Sequence, residues 1–154
     1  MNDEPFWTRI VFPALLRPAR TTYGQAMRAA LARIGCDDVP RNGLYVIGAL
    51  NLEGMPLAQV IRDLGVSKQA AGQLVDTLVL RGYLERSVDP EDRRRLTVTL
   101  TERGKAAAAA QAAAREAIDA ELIARVGAEK VMHAREVLGA LLVMGHEHDH
   151  ADED

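Results

Sequence analysis

Between residues 56 and 105 the spacing of apolar positions changes period twice, and the changes outline a small fold. Leu57, Val60, Ile61 and Leu64 recur at intervals of three and four behind Pro56, which suits a first helical turn, and Gly65 marks a stop. Ser67 then caps a second helix in which Ala70, Ala71, Leu74, Val75, Leu78 and Val79 form one apolar stripe, with Lys68, Gln69, Gly72, Gln73 and Asp76 on the opposite face; Gly82 ends it. The period then falls to two. Tyr83 to Ser87 and Leu96 to Thr101 read as paired strands around the charged, turn-rich tip Asp89-Pro90-Glu91-Asp92-Arg93-Arg94-Arg95. Two short helices around a glycine turn, followed by a hairpin, predict a winged helix-turn-helix.

The flanks are helical. An apolar face over Ala14 to Ile34 (Leu15, Leu16, Ala19, Tyr23, Ala26, Met27, Ala30, Leu31, Ile34) predicts a long helix; Pro18 requires it either to begin near Arg17 or to bend. Gly35 and Asp37 to Pro40 form a loop, and Arg41 to about Asn51 a short helix with Leu44, Ile47 and Leu50 inward. Thr101 caps an alanine-rich helix that Gly127 ends, and a last helix, roughly Ala128 to Met144, carries the stripe Val131, Ala134, Val137, Leu138, Leu141 and Leu142. The shallow alanine surface, the last stripe and the first helix together predict a seam between two copies of the chain, because one small winged helix leaves them uncovered. Phe6, Trp7, Ile10, Val11 and Phe12 cluster near the N-terminus and require a core or a partner to cover them.

LGVSKQAAGQLVDTLVLRGYLER followed by DPEDRRRLTVTLTERG resembles the winged-helix core of MarR-type transcriptional regulators. Asp89, Asp92, Arg94, Leu100, Thr101 and Gly104 match the wing signature, and with the flanks the resemblance covers roughly residues 14 to 146. The expected fold class is mainly α with a small β-wing. The expected division is an N-terminal dimerisation region over residues 1–36, a DNA-binding domain over 37–104, C-terminal dimerisation helices over 105–146, and an acidic, histidine-rich tail over 147–154.

The helix after the glycine turn supplies the candidate reading surface. Gln69 and Gln73 have amides able to pair bidentately with adenine in the major groove; Lys68 and the Ser67 hydroxyl suit phosphate; Gly72 suits close approach; Asp76 is expected to face a gap or a protein partner. Arg86 is a phosphate candidate, and Arg93 and Arg95 divide between phosphate and solvent. The resemblance implies that Asp92 holds the wing while Arg94 enters the minor groove, where a narrow groove concentrates negative potential. It also implies a homodimer on a pseudo-palindromic duplex, a repressor, and a small, often aromatic or acidic effector bound between the dimerisation helices and the DNA-binding lobe. Arg20, Tyr23, Met27, Cys36 and Tyr45 are the candidate residues of that cleft.

Net charge changes the picture only through its distribution. The chain carries −3 overall, but residues 1–52 carry +2, residues 53–105 carry +1 and residues 106–154 carry −6, so the acid lies away from the proposed reading surface. With 154 residues and 48% hydrophobic content the chain can bury one core, built on aliphatic side chains because aromatics are only 4%. The single cysteine, Cys36, excludes an intrachain disulfide; Asp37 and Asp38 beside it disfavour a reactive thiolate. No apolar run is long enough to span a membrane and no secretory signal is apparent, so a soluble cytoplasmic protein is expected. An enzyme is not expected: the four histidines all lie at His133 or later, none in a His-Glu-x-x-His spacing, and no phosphate-binding glycine loop or nucleophile elbow is present. No cofactor is implied. The alternatives are a winged helix that binds only proteins, or a metal-responsive regulator using His146, His148 and His150; a polar tail is the preferred reading of those histidines.

Overall fold

The computed structural model describes residues 4–51, 57–88 and 96–151. A 3-10 turn at Phe6–Arg9 precedes α1 (Phe12–Arg33); then follow α2 (Gly43–Leu50), α3 (Leu57–Leu64), α4 (Lys68–Leu80), β1 (Leu84–Val88), β2 (Leu96–Leu100), α5 (Glu102–Val126) and α6 (Ala128–Ala151). The fold is mainly helical with one two-stranded antiparallel sheet, the winged helix-turn-helix expected. The chain divides into two compact units, Met1–Arg115 and Glu116–Asp154.

Local chemistry accounts for most of the first unit. Gly65 and Gly82 terminate α3 and α4 with φ of 64° and 74°, a conformation that costs glycine little. Ser67 Oγ accepts from Ala70 N at 3.2 Å, closing the first turn of α4. The strands pair Leu84 with Leu100 through to Val88 with Leu96, so the hairpin's root is fixed one residue beyond the end of α4's glycine turn. Both strands run within one residue of the expected spans. The expected wing tip, including Asp92, Arg93, Arg94 and Arg95, lies outside the described residues, as does Pro56.

Met27 and Leu31 of α1, Leu44, Val46 and Ile47 of α2, Val75 and Leu78 of α4, and Tyr83 and Leu84 at the hairpin's start form one core, which Ala107 and Ala108 of α5 close. Alanine at these α5 positions lets the helix sit close. Gly104 shows how close: a Cβ there would fall on the Tyr83 carbonyl oxygen, far inside van der Waals contact. Thr101 joins the same junction. Its hydroxyl donates to the Gly82 carbonyl (2.5 Å) and accepts from Gly104 N (3.0 Å), and its backbone N–H donates to the Tyr83 carbonyl (3.1 Å). The Leu-Thr-x-x-Gly signature is therefore a weld between the wing and the long helix.

A polar knot reinforces that weld. The Tyr83 hydroxyl donates to Asp38 Oδ1, Arg103 Nη2 donates to the same oxygen at 3.1 Å, and Arg103 lies 4.4 Å over the Tyr83 ring. Arg81 donates to the Asp38 carbonyl. The Tyr83 hydrogen bond first, and the neighbouring guanidiniums after it, hold the Asp38 carboxyl below its ordinary pKa. Burial, with that same hydrogen bond second, pushes the Tyr83 phenol well above its own.

Four details differ from the expectations. α1 starts at Phe12, so Pro18 sits inside a regular helix and the helix does not begin near Arg17; Pro13 occupies the tolerant first turn, and Thr21 and Thr22 hydroxyls donate to the carbonyls of Arg17 and Pro18. Ala70, expected in the buried stripe of α4, is exposed, because the first turn of that helix extends past the core. The short α2 starts at Gly43, two residues later than expected, since Arg41 and Asn42 form the turn closed by Gly43 N donating to the Pro40 carbonyl. The helix α6 does not stop at Gly145 but continues to Ala151: a glycine ends a helix only by taking positive φ, as Gly127 does, and Gly145 does not take it.

Candidate nucleic-acid interface and the adjoining cleft

The helix α4 is packed through Ala71, Val75 and Leu78 and turns Lys68, Gln69, Gly72, Gln73 and Asp76 to the outside. A Cβ added at Gly72 would meet nothing within 4 Å. Lys68, Gln69, Gly72 and Gln73 are thus exposed among the described residues. Ser67 stands at its N-terminus, where its oxygen accepts the capping bond from Ala70 N. These five positions, Ser67, Lys68, Gln69, Gly72 and Gln73, form one continuous surface.

The hairpin is fastened to that surface by an ion pair. Arg86 Nη2 of β1 bonds Asp76 Oδ1 of α4. Asp76 thereby acquires a definite role that its sequence position did not reveal: it orients the guanidinium of Arg86 and sets the root of the wing beside α4. Both side chains are largely exposed, so the pair's worth lies in geometry more than in stability. Ser87 and Thr97 hydroxyls, 2.9 Å apart, add a cross-strand bond farther out.

Two cavities border this head. The first, about 630 Å³, is lined by Arg17, Arg20, Thr21, Gly24, Gln25 and Arg28 of α1 together with Arg41, Asn42, Leu44 and Tyr45. Its α1 residues recur at helical spacing, so a basic stripe runs along the side of α1 beside the apolar one. That stripe, Arg17-x-x-Arg20-Thr21-x-x-Gly24-Gln25-x-x-Arg28, stands in the sequence at helical spacing. Arg20 Nε donates to the Tyr45 hydroxyl at 3.0 Å and its guanidinium lies 4.2 Å over the Tyr45 ring, which fixes one wall. Arg17, Arg28 and Arg41 have no ion-pair partner among the described residues.

Of the five residues expected in the effector cleft, Arg20 and Tyr45 line this cavity. Met27 and Cys36 do not: both are buried in the core, because the apolar side of α1 and the loop after it are what seal the winged helix. The Met27 sulfur accepts from Arg115 at 3.9 Å, and the Cys36 thiol donates to the Ile34 carbonyl at 3.9 Å. Tyr23 is half-buried and packs against the same core.

The second cavity, about 480 Å³, runs along the other flank of α4, lined by Pro40, Arg41, Asn42, Val66, Ala70, Gln73, Leu74, Thr77 and Arg81. The exposed Ala70 belongs here. No group of three or more histidine, cysteine, aspartate or glutamate side chains among the described residues could hold a metal. The side chains of His146, His148 and His150 lie outside the described ones. No described helix is long and apolar enough to cross a membrane.

The chain is similar to known proteins in sequence and in fold. Residues 37–95 match the sequence model of the MarR family. Among solved structures, a MarR family transcriptional regulator from Silicibacter pomeroyi DSS is 27% identical, with 86% of each chain covered and a TM-score of 0.63. A probable transcriptional regulator from Pseudomonas aeruginosa is 26% identical over 86% of this chain and 97% of the other, with a TM-score of 0.62. Wild-type MarR of E. coli in its apo form shares the fold at 21% identity, covering 86% and 98% of the two chains, with a TM-score of 0.60. No curated protein sequence matches the chain.

Proposed function

We propose that the chain, whose residues 37–95 match the sequence model of the MarR family, is a homodimeric, sequence-specific DNA-binding repressor of that family whose operator affinity answers to a small acidic molecule. The observation that carries the DNA-binding reading is the exposed polar face of α4, beside a hairpin pinned to it through Asp76 and Arg86. A helix of this kind enters a major groove, and the arginines of the wing meet the flanking backbone and minor groove. In this reading Gln69 and Gln73 read bases, Ser67, Lys68, Arg86, Arg93 and Arg95 meet phosphate, Gly72 admits close approach, and Asp92 positions Arg94 in the minor groove. The duplex is a pseudo-palindrome with half-sites about one turn apart.

The dimer reading rests on apolar surface that the single chain leaves bare. In the first unit Phe6 is 74% exposed and Val11 71%, with Trp7, Phe12 and Leu16 also open; in the second, Leu122, Ile123, Met132, Val137, Leu138, Leu141 and Leu142 are all exposed. Stretches of this kind mark interfaces. A second copy on the same surfaces would cover them with matching apolar side chains. The effector reading rests on the basic cleft, whose volume suits a small molecule and whose four guanidiniums select a negative charge. Nothing in the mechanism requires catalysis; the protein works on its DNA in the cytoplasm by binding and release.

Binding isotherms on operator and scrambled duplexes, at several salt concentrations, test the DNA reading. Gln73→Ala should lose ~1–3 kcal/mol on the operator and almost nothing on scrambled DNA, since glutamine releases no counterions. Lys68→Ala should weaken both alike and lower the salt slope. Equal losses on the two duplexes for Gln73→Ala would remove it from the base-reading set.

Gly72→Ala separates folding from binding by sign. The new methyl meets open space, so helix propensity alone should raise stability by about 0.5–1 kcal/mol. The same methyl thickens the surface that approaches DNA and should weaken operator binding. Denaturation and binding measured on one preparation check both signs; a variant more stable and equally tight would show that the duplex stays clear of this position.

A further inference from the structure

The two cavities are separated by the short segment that starts α2, and one cation serves both. Arg41 and Asn42 line the basic cleft on the α1 side and also the groove along α4. Arg41 is exposed and has no ion-pair partner among the described residues, so its long side chain is committed to neither. Asn42 occupies the N-cap position of α2 without using its side chain to cap. The other guanidinium in the α4 groove, Arg81, already donates to the Asp38 carbonyl. We infer that Arg41 is the coupling residue between effector and DNA: in the α4 groove it binds a backbone phosphate beside Gln73, and an organic anion in the cleft draws it to the other side and releases that phosphate.

The physics is a competition for one charge. With α4 in a major groove, the flank formed by Gln73, Thr77 and Arg41 faces the sugar–phosphate wall, and an arginine there binds phosphate bidentately. In the cleft, Arg17, Arg20 and Arg28 form a cluster of like charge on one helix stripe. An anion relieves their repulsion and adds attraction for a fourth guanidinium at the rim. One side chain cannot satisfy both anions, so occupancy of either cavity disfavours the other. Linkage makes the effect reciprocal: DNA weakens anion binding by the factor by which the anion weakens DNA binding. The inference rests on the proposed reading of α4 as the DNA-contacting helix and of the cleft as the effector site.

The test uses the full-length protein with benzoate as the anion and benzamide as its neutral isostere, operator binding being followed over a salt series and anion binding by calorimetry. For the unmutated protein, saturating benzoate should weaken operator binding ~10-fold for each protomer bound, the size of one charge-assisted contact, and benzamide should not. Arg41→Ala should itself weaken operator binding ~10-fold, and lower the salt slope by about 0.9, for each protomer bound. It should keep benzoate binding through the three α1 arginines yet lose most of the benzoate effect on DNA. Arg28→Ala, on the cleft alone, should reduce benzoate affinity and leave the operator affinity measured without anion unchanged. Circular dichroism confirms that these surface variants fold.

An undiminished benzoate effect in Arg41→Ala, or an unchanged salt slope, overturns the inference. So does failure of the unmutated protein to bind benzoate at millimolar concentration, which would remove the competing site. Failure of the unmutated protein to bind any duplex specifically is a different result: it overturns the reading of α4 on which the inference stands.

Discussion

Gly104→Ala should destabilise the protein by about 3 kcal/mol or more, although a glycine-to-alanine change inside a helix ordinarily stabilises by up to ~1 kcal/mol. The reversal comes from one contact. The added Cβ would sit on the Tyr83 carbonyl oxygen and close to Leu100 Cδ2, and the first of these is backbone that cannot swing aside. To relieve it, α5 must lift from the junction where Thr101 caps the helix and ties back to Gly82. Lifting α5 opens the core at Ala107 and Ala108 and strains the knot of Asp38, Tyr83 and Arg103. Urea or thermal denaturation reads the loss directly. An unchanged midpoint would mean that α5 and the hairpin do not meet as described. Set beside Gly72→Ala, the pair asks whether two glycines in helices of one protein respond with opposite signs for the stated steric reason.

The second large effect concerns assembly. Leu138→Asp should convert the proposed dimer to a monomer of 16.8 kDa. Leu138 is 41% exposed in the single chain and lies among Val137, Leu141 and Leu142, all open. A carboxylate there costs the monomer little, because water still reaches it. Buried against a second copy it would be an unpaired charge at a cost of about 3–5 kcal/mol per broken site. Operator affinity should collapse with the dimer, since two linked reading heads on one duplex bind far more tightly than one. Light scattering gives the mass, and near-unchanged helicity by circular dichroism shows that the chain still folds. Leu138→Asp with the same mass as the unmutated protein would place the dimer seam elsewhere, and a monomeric unmutated protein would refute the dimer itself.

The elements of the winged helix were legible because each depends on neighbours in the chain. An apolar residue every third or fourth position, Ser67 three residues before the amide it caps, and Gly65 and Gly82 at the turns all act within one or two helical turns. The alternation from Leu96 to Leu100 acts over a single strand. The resemblance carried by Leu100, Thr101 and Gly104 was likewise visible, but its cause was not. That the glycine is needed by a carbonyl 21 positions earlier could be learned only when both were placed.

The sites followed the same divide. The outward face of α4 could be read from its period, whereas the pairing of Asp76 with Arg86 could not, because charge sequence alone cannot say which of many exposed ions will meet. Arg20 and Tyr45, 25 positions apart, were both expected at the cleft; Met27 and Cys36, expected with them, were claimed by the core, where burial of apolar surface outweighs a place at a polar wall. Arg17, Arg28 and Arg41 share a cavity only because two elements converge there in the fold. The helices, the hairpin and the outward polar face of α4 follow from the order of residues along the chain, since their stabilising interactions are local and periodic. The tertiary structure alone decided the weld at Gly104, the Asp38 knot and the arginine shared by two cavities, since each arises from backbone segments that only packing brings together.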